Sequence, residues 1–270
     1  MNASAPVASI EPLLTRQDRD GVVTLCLNRP QQFNALSEEL LGALQAELDA
    51  LSRDPELRCV VIAGAGKAFC AGHDLRQMRA TPTLDYYRAL FARCAKVMLA
   101  IQALPVPAIA RVHGIATAAG CQLVGACDLA IAADSARFAV SGINVGLFCS
   151  TPAVALSRNV SAKRAFDLLV SARFIDAATA ADWGLINTAV PDAELDAAVA
   201  RQCAVIAAKS PTAIRYGKAM FHRQRQMPLA EAYAYAGEVM AQNMMEEDAL
   251  AGVDAFLDKR TPVWRPLSAS

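Results

Sequence analysis

Three hydrophobic patterns alternate along the chain, and their order predicts its architecture. Apolar runs at 13–15 and 22–27 flank Arg19-Asp20-Gly21, and an Asp-Gly step between two β-type runs predicts a hairpin. Ser37 precedes Glu38 and Glu39, with Leu40, Leu41, Leu44, Leu48 and Leu51 at helical spacing until Asp54-Pro55. This predicts an N-capped amphipathic helix laid on a sheet. Residues 59–63 and 108–112 are short continuous apolar strands, separated by a helical stretch over 84–103 that Leu104-Pro105-Val106-Pro107 closes. Strand, helix, strand, helix in this rhythm predicts parallel crossover units.

Residues 112–134 (VHGIATAAGCQLVGACDLAIAAD) read as loop, helix and buried strand, with Ile131 central in the strand. Gly114, Ala116, Ala118, Ala119 and Gly120 crowd the entry to the helix. Small residues there leave the first N–H groups unshielded at the positive end of the dipole, where an anion or a polarised carbonyl oxygen can sit. Close packing of a helix on a sheet accounts for the same composition. After Phe138, a loop of small residues leads to a helix near 153–158. Ser161 and Asp176 head two further helices, over 163–173 and up to Gly184. From Pro191 everything reads as helix: to Lys209, from Pro211 to Arg225, and over 229–260 with a break after Asn243. Residues 1–9, small and polar, read as a frayed arm.

Composition narrows the class. Of 270 residues 54% are hydrophobic, and 26 basic side chains balance 26 acidic ones, so electrostatics gives no case for nucleic acid or an anionic membrane. No apolar stretch approaches the ~18 residues that span a bilayer, and the start lacks a basic segment followed by an apolar one. A soluble cytoplasmic protein is therefore expected. Eight cysteines, mostly inside apolar patterns and without a CxxC pair, read as reduced buried thiols rather than disulfides or metal ligands. Gly64-Ala65-Gly66 after a strand imitates a dinucleotide fingerprint. Phe69 stands where its third glycine belongs, and no acid follows about twenty residues on. A phosphate loop of the GxxxxGK[ST] type is absent.

Four segments in sequence order carry a resemblance. These are Asn28 to Ser37 (NRPQQFNALS), Ala68-Phe69-Cys70-Ala71-Gly72-His73-Asp74-Leu75, Ala118-Ala119-Gly120-Cys121-Gln122 with Cys127-Asp128, and Phe256 to Trp264 (FLDKRTPVW). Together they resemble the crotonase, or enoyl-CoA hydratase/isomerase, superfamily, over about residues 21–264. The resemblance implies an α/β fold: a spiral of ββα units over 10–195 that carries an acyl-CoA site, and a helical C-terminal region over 196–265 for trimerisation and for covering the CoA. It implies a homotrimer or a dimer of trimers, with coenzyme A as part of the substrate and no separate cofactor or metal.

By the resemblance, the backbone N–H groups of His73 and Ala119 form the oxyanion hole that stabilises a thioester enolate. Only the backbone matters there, so His73 can also be an ordinary surface imidazole in a polar loop. Ala68, Ala71, Asp74 and Leu75 would frame the adenine and pantetheine arm, and Phe256 lies in the C-terminal segment. Arg29, Lys67 and Lys259 are candidates for the CoA phosphates, each equally readable as a solvated cation. Asp74 and Asp128 occupy positions that the family uses structurally. His113 and His222 lack partners at any recognisable spacing and read as structural.

The chain departs from the family at its acids. Gln122 and Gly142 stand where hydratases place the two glutamates that activate water, and Ser150 stands at the alternative carboxylate position. None of these moves a proton as a carboxylate does; Ser141, Asn144, Cys149 and Ser150 are the nearby polar side chains. Three functions follow: an acyl-CoA enzyme with weak hydratase activity, a catalytically silent acyl-CoA-binding protein, and a thioester hydrolase or decarboxylase, which needs enolate stabilisation more than a base.

Overall fold

The Asp20-Gly21 step closes the predicted hairpin. Both residues have positive φ, 51° and 74°, as a tight two-residue turn requires, and β1 (Leu14–Arg19) pairs antiparallel with β2 (Val22–Leu27). The computed structural model describes residues 11–265, so the arm expected over 1–9 lies outside the described residues. Ser37 caps α1 (Glu38–Leu51), its hydroxyl accepting from the Leu40 N–H at 3.2 Å, and the five spaced leucines are buried. The wholly buried β3 (Cys59–Gly64) follows. Next come α2 (Leu75–Ala80), capped by the Asp74 carboxylate, and α3 (Leu84–Ala103), capped by Thr83. The six residues of α2 are too few for a periodic signal, and the helix was not foreseen.

The chain continues through β4 (Ala108–Val112), β5 (Ile115–Thr117), α4 (Ala119–Ala126), β6 (Leu129–Ala133) and β7 (Arg137–Ala139). A 3-10 turn over Ser141–Val145 leads to α5 (Ser150–Leu156) and α6 (Ala162–Ser171). Ser161 precedes α6, but its side chain makes no capping hydrogen bond. Asp176 does cap: it ends β8 (Ile175–Asp176) and accepts from the Thr179 N–H to start α7 (Ala177–Asp182). After β9 (Thr188–Val190) come α8 (Leu195–Ala207), α9 (Pro211–Gln224), α10 (Leu229–Met244) and α11 (Glu247–Leu257).

The main sheet runs β1-β2-β3-β4-β6-β9, parallel throughout except for the β1 hairpin. Alternation along the strands divides its two faces. Val60 and Ile62 join the core with α1, α3 and α4, whereas Cys59 and Val61 meet Leu195, Val199, Cys203 and Ile206 of α8. Helices on both faces explain why β3 is an unbroken apolar run. A second sheet, β5-β7-β8, is built from strands of two or three residues. All eight cysteines are free, and seven are buried.

Candidate active site

The site forms where the loop after β3 meets the start of α4. The Cys70 N–H donates to the Ile115 carbonyl (3.1 Å), the Thr117 N–H to the Cys70 carbonyl (3.0 Å) and the Thr117 hydroxyl to the Ala71 carbonyl (3.0 Å). Glycine is demanded at the junction: a Cβ on Gly120 would overlap the Cys70 carbonyl. One strand-like bridge also ties this loop to Leu36, which donates to the Gly72 carbonyl (2.7 Å) and accepts from the Asp74 N–H (3.2 Å). The intervening His73 N–H points away from that bridge and has no acceptor among the described residues. Ala119 is the first residue of α4, so its N–H has no partner within the helix. Ala118 donates to Ala139 and Gln122 to Ala118, each at 3.0 Å, while the N–H groups of the first turn, that of Ala119 among them, have no acceptor among the described residues. His73 and Ala119 stand 46 positions apart in sequence, and neither backbone N–H has an acceptor among the described residues.

Both donors belong to residues lining a pocket of about 420 Å³. Its walls are apolar: Leu75 and Met78 from α2, Phe91 from α3, and Val145, Leu147 and Phe148 from the loop before α5. The His73 imidazole is not the surface group that its polar loop allowed. It packs edge-on against Phe91, with ring centroids 5.6 Å apart, and burial pushes its pKa down to about 4 while the nearby Leu36 carbonyl pulls the other way. Neither ring nitrogen is solvent-accessible or hydrogen-bonded. The sequence reading valued His73 for its backbone alone and missed its side chain, because nothing in the sequence places Phe91 beside it.

The two positions that replace the glutamates behave differently. Gln122 lies on α4 outside the pocket wall, 5% exposed, and its Oε1 has no hydrogen-bond partner. Gly142 lines the pocket, but a Cβ there would stand 2.5 Å from the Leu147 carbonyl oxygen and 2.6 Å from the Cys149 sulfur. Its φ is not positive, so contact with these neighbours and not backbone strain excludes a side chain. Ser141, Cys149 and Ser150 line the pocket and Asn144 does not; burial pushes the Cys149 thiol up. No carboxylate is among the lining residues.

The coenzyme A candidates separate likewise. Ala71 and Leu75 line the pocket, whereas Ala68 is buried and its carbonyl accepts from the Asn34 side chain at 2.7 Å. Arg29 requires a correction. Its guanidinium donates to Asp74 (2.9 Å) and to the Ala35 carbonyl (2.6 Å), and both charged side chains are about 85% buried, so it braces the loop and is not free for a phosphate. Burial raises the Asp74 carboxyl, yet Arg29 and the amides of α2 outweigh this and hold it below the usual range. Asp74 is thus a brace and a helix cap. Lys67 is exposed in the loop. Phe256 and Lys259, exposed on α11 and just beyond, do not reach the pocket wall.

His113 and His222 do find partners. The first meets the Gly66 carbonyl at 2.9 Å; the second meets Asp128 at 2.7 Å across 94 residues of sequence. Asp128 also accepts from Lys218 and from the Ala108 N–H, both at 2.7 Å, which makes it a structural hub.

Comparison with known proteins agrees with this geometry. The model of the enoyl-CoA hydratase/isomerase family matches residues 17–266. The mitochondrial enoyl-CoA hydratase domain-containing protein 3 of Xenopus laevis is 43% identical over 94% of this chain and 86% of its own; the human protein is 42% identical over 91% and 81%. Among solved structures, an enoyl-CoA hydratase from Mycobacterium smegmatis superposes with a TM-score of 0.93 at 59% identity, covering 94% of this chain and 99% of that one. Human enoyl coenzyme A hydratase domain-containing protein 3 gives 0.91 at 40%, over 94% of this chain and all of that one. The Xenopus laevis and human sequence relatives are named mitochondrial, which overturns the cytoplasmic expectation; composition was too weak a guide to compartment. No helix among the described residues is long and apolar enough to cross a membrane. With the family pattern spanning nearly the whole chain and a relative 43% identical over 94% of it, this protein belongs to the enoyl-CoA hydratase/isomerase family.

Proposed function

We propose that the protein binds an acyl-CoA thioester and stabilises its enolate with the His73 and Ala119 N–H groups. The observation that carries this reading is that both amides lack an acceptor and belong to residues lining one apolar pocket. Fixed backbone donors aimed at the developing oxyanion need no reorganisation during the reaction and no matched side-chain pKa. Coenzyme A enters as part of the substrate, with Ala71 and Leu75 at the pocket that would receive its arm, and no other cofactor is required.

Hydration is a poor fit to this pocket, since Gln122 carries no titrating proton and Gly142 leaves no room for an acid. The same observation favours a second reading, an acyl-CoA-binding protein without turnover. Incubation with a panel of acyl-CoAs, followed by mass spectrometry and by calorimetry, tests both: products support the enzyme, tight binding without products supports the binder, and neither refutes the site.

The C-terminal helices support assembly with further copies. Leu229, Tyr233, Met240, Met245, Phe256 and Leu257 are each at least 70% exposed, and exposed apolar side chains on these helices are what a subunit contact would cover. A homotrimer or a dimer of trimers would cover it, and sedimentation at the monomer mass of 28.6 kDa would refute this.

A further inference from the structure

Cys59, the first residue of β3, and Cys203 of α8 stand 144 positions apart in sequence, yet their sulfurs lie 3.9 Å apart. No other two of the eight cysteines come within hydrogen-bonding reach among the described residues. Both are buried in the apolar layer between the sheet and α8, Cys203 at 4% exposure and Cys59 fully. The Cys59 thiol donates to the Pro107 carbonyl at 3.3 Å, which leaves its sulfur lone pairs to accept from Cys203. The pair borders a second cavity, of about 920 Å³: Pro107, Leu129, Ile206 and Ile214 line it, and the last three also belong to or pack on the layer around the two thiols. A molecule as small as a peroxide in that cavity therefore reaches the residues that surround the sulfurs. The Cys59 S–H steadies a thiolate at Cys203 and outweighs burial there, so Cys203 is held below the usual thiol range, whereas the same contact together with burial pushes Cys59 up. One buried stripe, Leu195, Ala198, Val199, Cys203 and Ile206, holds α8 to the sheet, and most of its other residues are exposed. A disulfide needs its sulfurs at about 2.05 Å, so each has to move roughly 1 Å, which side-chain rotation and a small slide of α8 supply.

We propose that Cys59 and Cys203 form a peroxide-sensitive dithiol whose oxidation to a disulfide staples α8 to the main sheet. The Cys203 thiolate attacks one peroxide oxygen, the O–O bond breaks, and the departing hydroxide takes up a proton as water, leaving a sulfenic acid on Cys203. The Cys59 sulfur then attacks the Cys203 sulfur and gives up its proton, and the sulfenic oxygen leaves as a second water. Two thiols and one hydrogen peroxide become one disulfide and two waters, with two electrons passing from sulfur to oxygen. The dithiol stands outside the acyl-CoA pocket, whose lining includes neither cysteine, so the proposal does not depend on the function assigned there.

Mass spectrometry of the folded full-length protein, treated with hydrogen peroxide and then alkylated in denaturant, tests the proposal. Trypsin cuts after Arg58, Lys67, Arg201 and Lys209, so the expected product is peptide 59–67 joined to peptide 202–209, two hydrogens lighter than the reduced pair and separated again by dithiothreitol. Amide hydrogen exchange in α8 should slow about tenfold or more in the oxidised protein, because the helix no longer opens apart from the sheet. Cys203→Ala and Cys59→Ala should each abolish the joined peptide and the slowing, and the wild-type peptide map decides the matter even where a variant fails to fold. Thiols that both remain alkylatable after peroxide, oxidation of either one singly without a joined peptide, or joining that occurs only once circular dichroism shows the fold lost would each overturn the dithiol. A joined peptide with unchanged exchange in α8, or slowing that persists in both variants, would overturn the staple.

Discussion

Gly72 and Ala118 close on each other where the two loops meet: a Cβ on Gly72 would stand 2.9 Å from the Ala118 Cβ and 3.3 Å from the Ala119 nitrogen. Both residues have positive φ, 94° and 50°. Gly72→Ala should therefore strain the loop and wedge the two amides apart, weakening acyl-CoA binding at least tenfold by calorimetry in a protein that still folds by circular dichroism.

Ala118 itself is held at φ 50° and ψ −119°, a region that a residue with a Cβ rarely occupies. Ala118→Gly should relieve this and stabilise the protein by about 1 kcal/mol, less whatever glycine adds to the entropy of the unfolded chain. A thermal melt that moves upward without loss of acyl-CoA binding checks it.

At Ala119 only the N–H is assigned a role. Ala119→Gly should be tolerated, while Ala119→Pro, at the first helical position where proline is sterically acceptable, should lower any turnover by about 10²-fold or more. Steady-state rates of both variants, checked for folding, settle whether that amide acts.

Native hydration of crotonyl-CoA should lie several orders of magnitude below that of a hydratase with both acids, since each acid–base group is typically worth roughly 10²–10⁴. Restoring the glutamates should not rescue it. Gln122→Glu puts a charge at a buried position, and Gly142→Glu forces a Cβ against the Leu147 carbonyl, so the double variant should lose stability without gaining turnover. Loss of enoyl-thioester absorbance, measured for both proteins, decides the matter.

Asp128 should control the acid limit of stability. Burial raises its carboxyl, but His222, Lys218 and the Ala108 N–H outweigh burial and hold it below the ordinary range. Its contribution is therefore present above the unfolded carboxyl value of about 4 and is lost as pH falls through the lower folded value. Asp128→Asn should cost about 3 kcal/mol at neutral pH, because it leaves the Lys218 ammonium, 6% exposed, without its counter-charge. It should also flatten the acid limb, and denaturant unfolding at pH 7 and pH 4 measures both.

Periodic stretches were legible because each obeys a local rule. The DG hairpin, the Ser37-capped helix, the helix from about 84 to 103 and the buried strands follow from turn chemistry, capping and spacing alone. The family was legible too, since its signature loops stand in the sequence as short runs of small residues in a fixed order. The six-residue α2, under two helical turns, and the two- and three-residue strands β5, β7, β8 and β9 carry too few positions for any period and exist because partners elsewhere complete their hydrogen bonds. Tertiary structure also decided that α8 covers the back of the sheet, that Arg29 is consumed by Asp74, and that Gly142 is crowded by Leu147. Burial of the His73 ring against Phe91 belongs with them. A residue's type states which hydrogen bonds and charges it can offer; which of them remain unspent depends on neighbours tens of residues away, and folding alone assigns those.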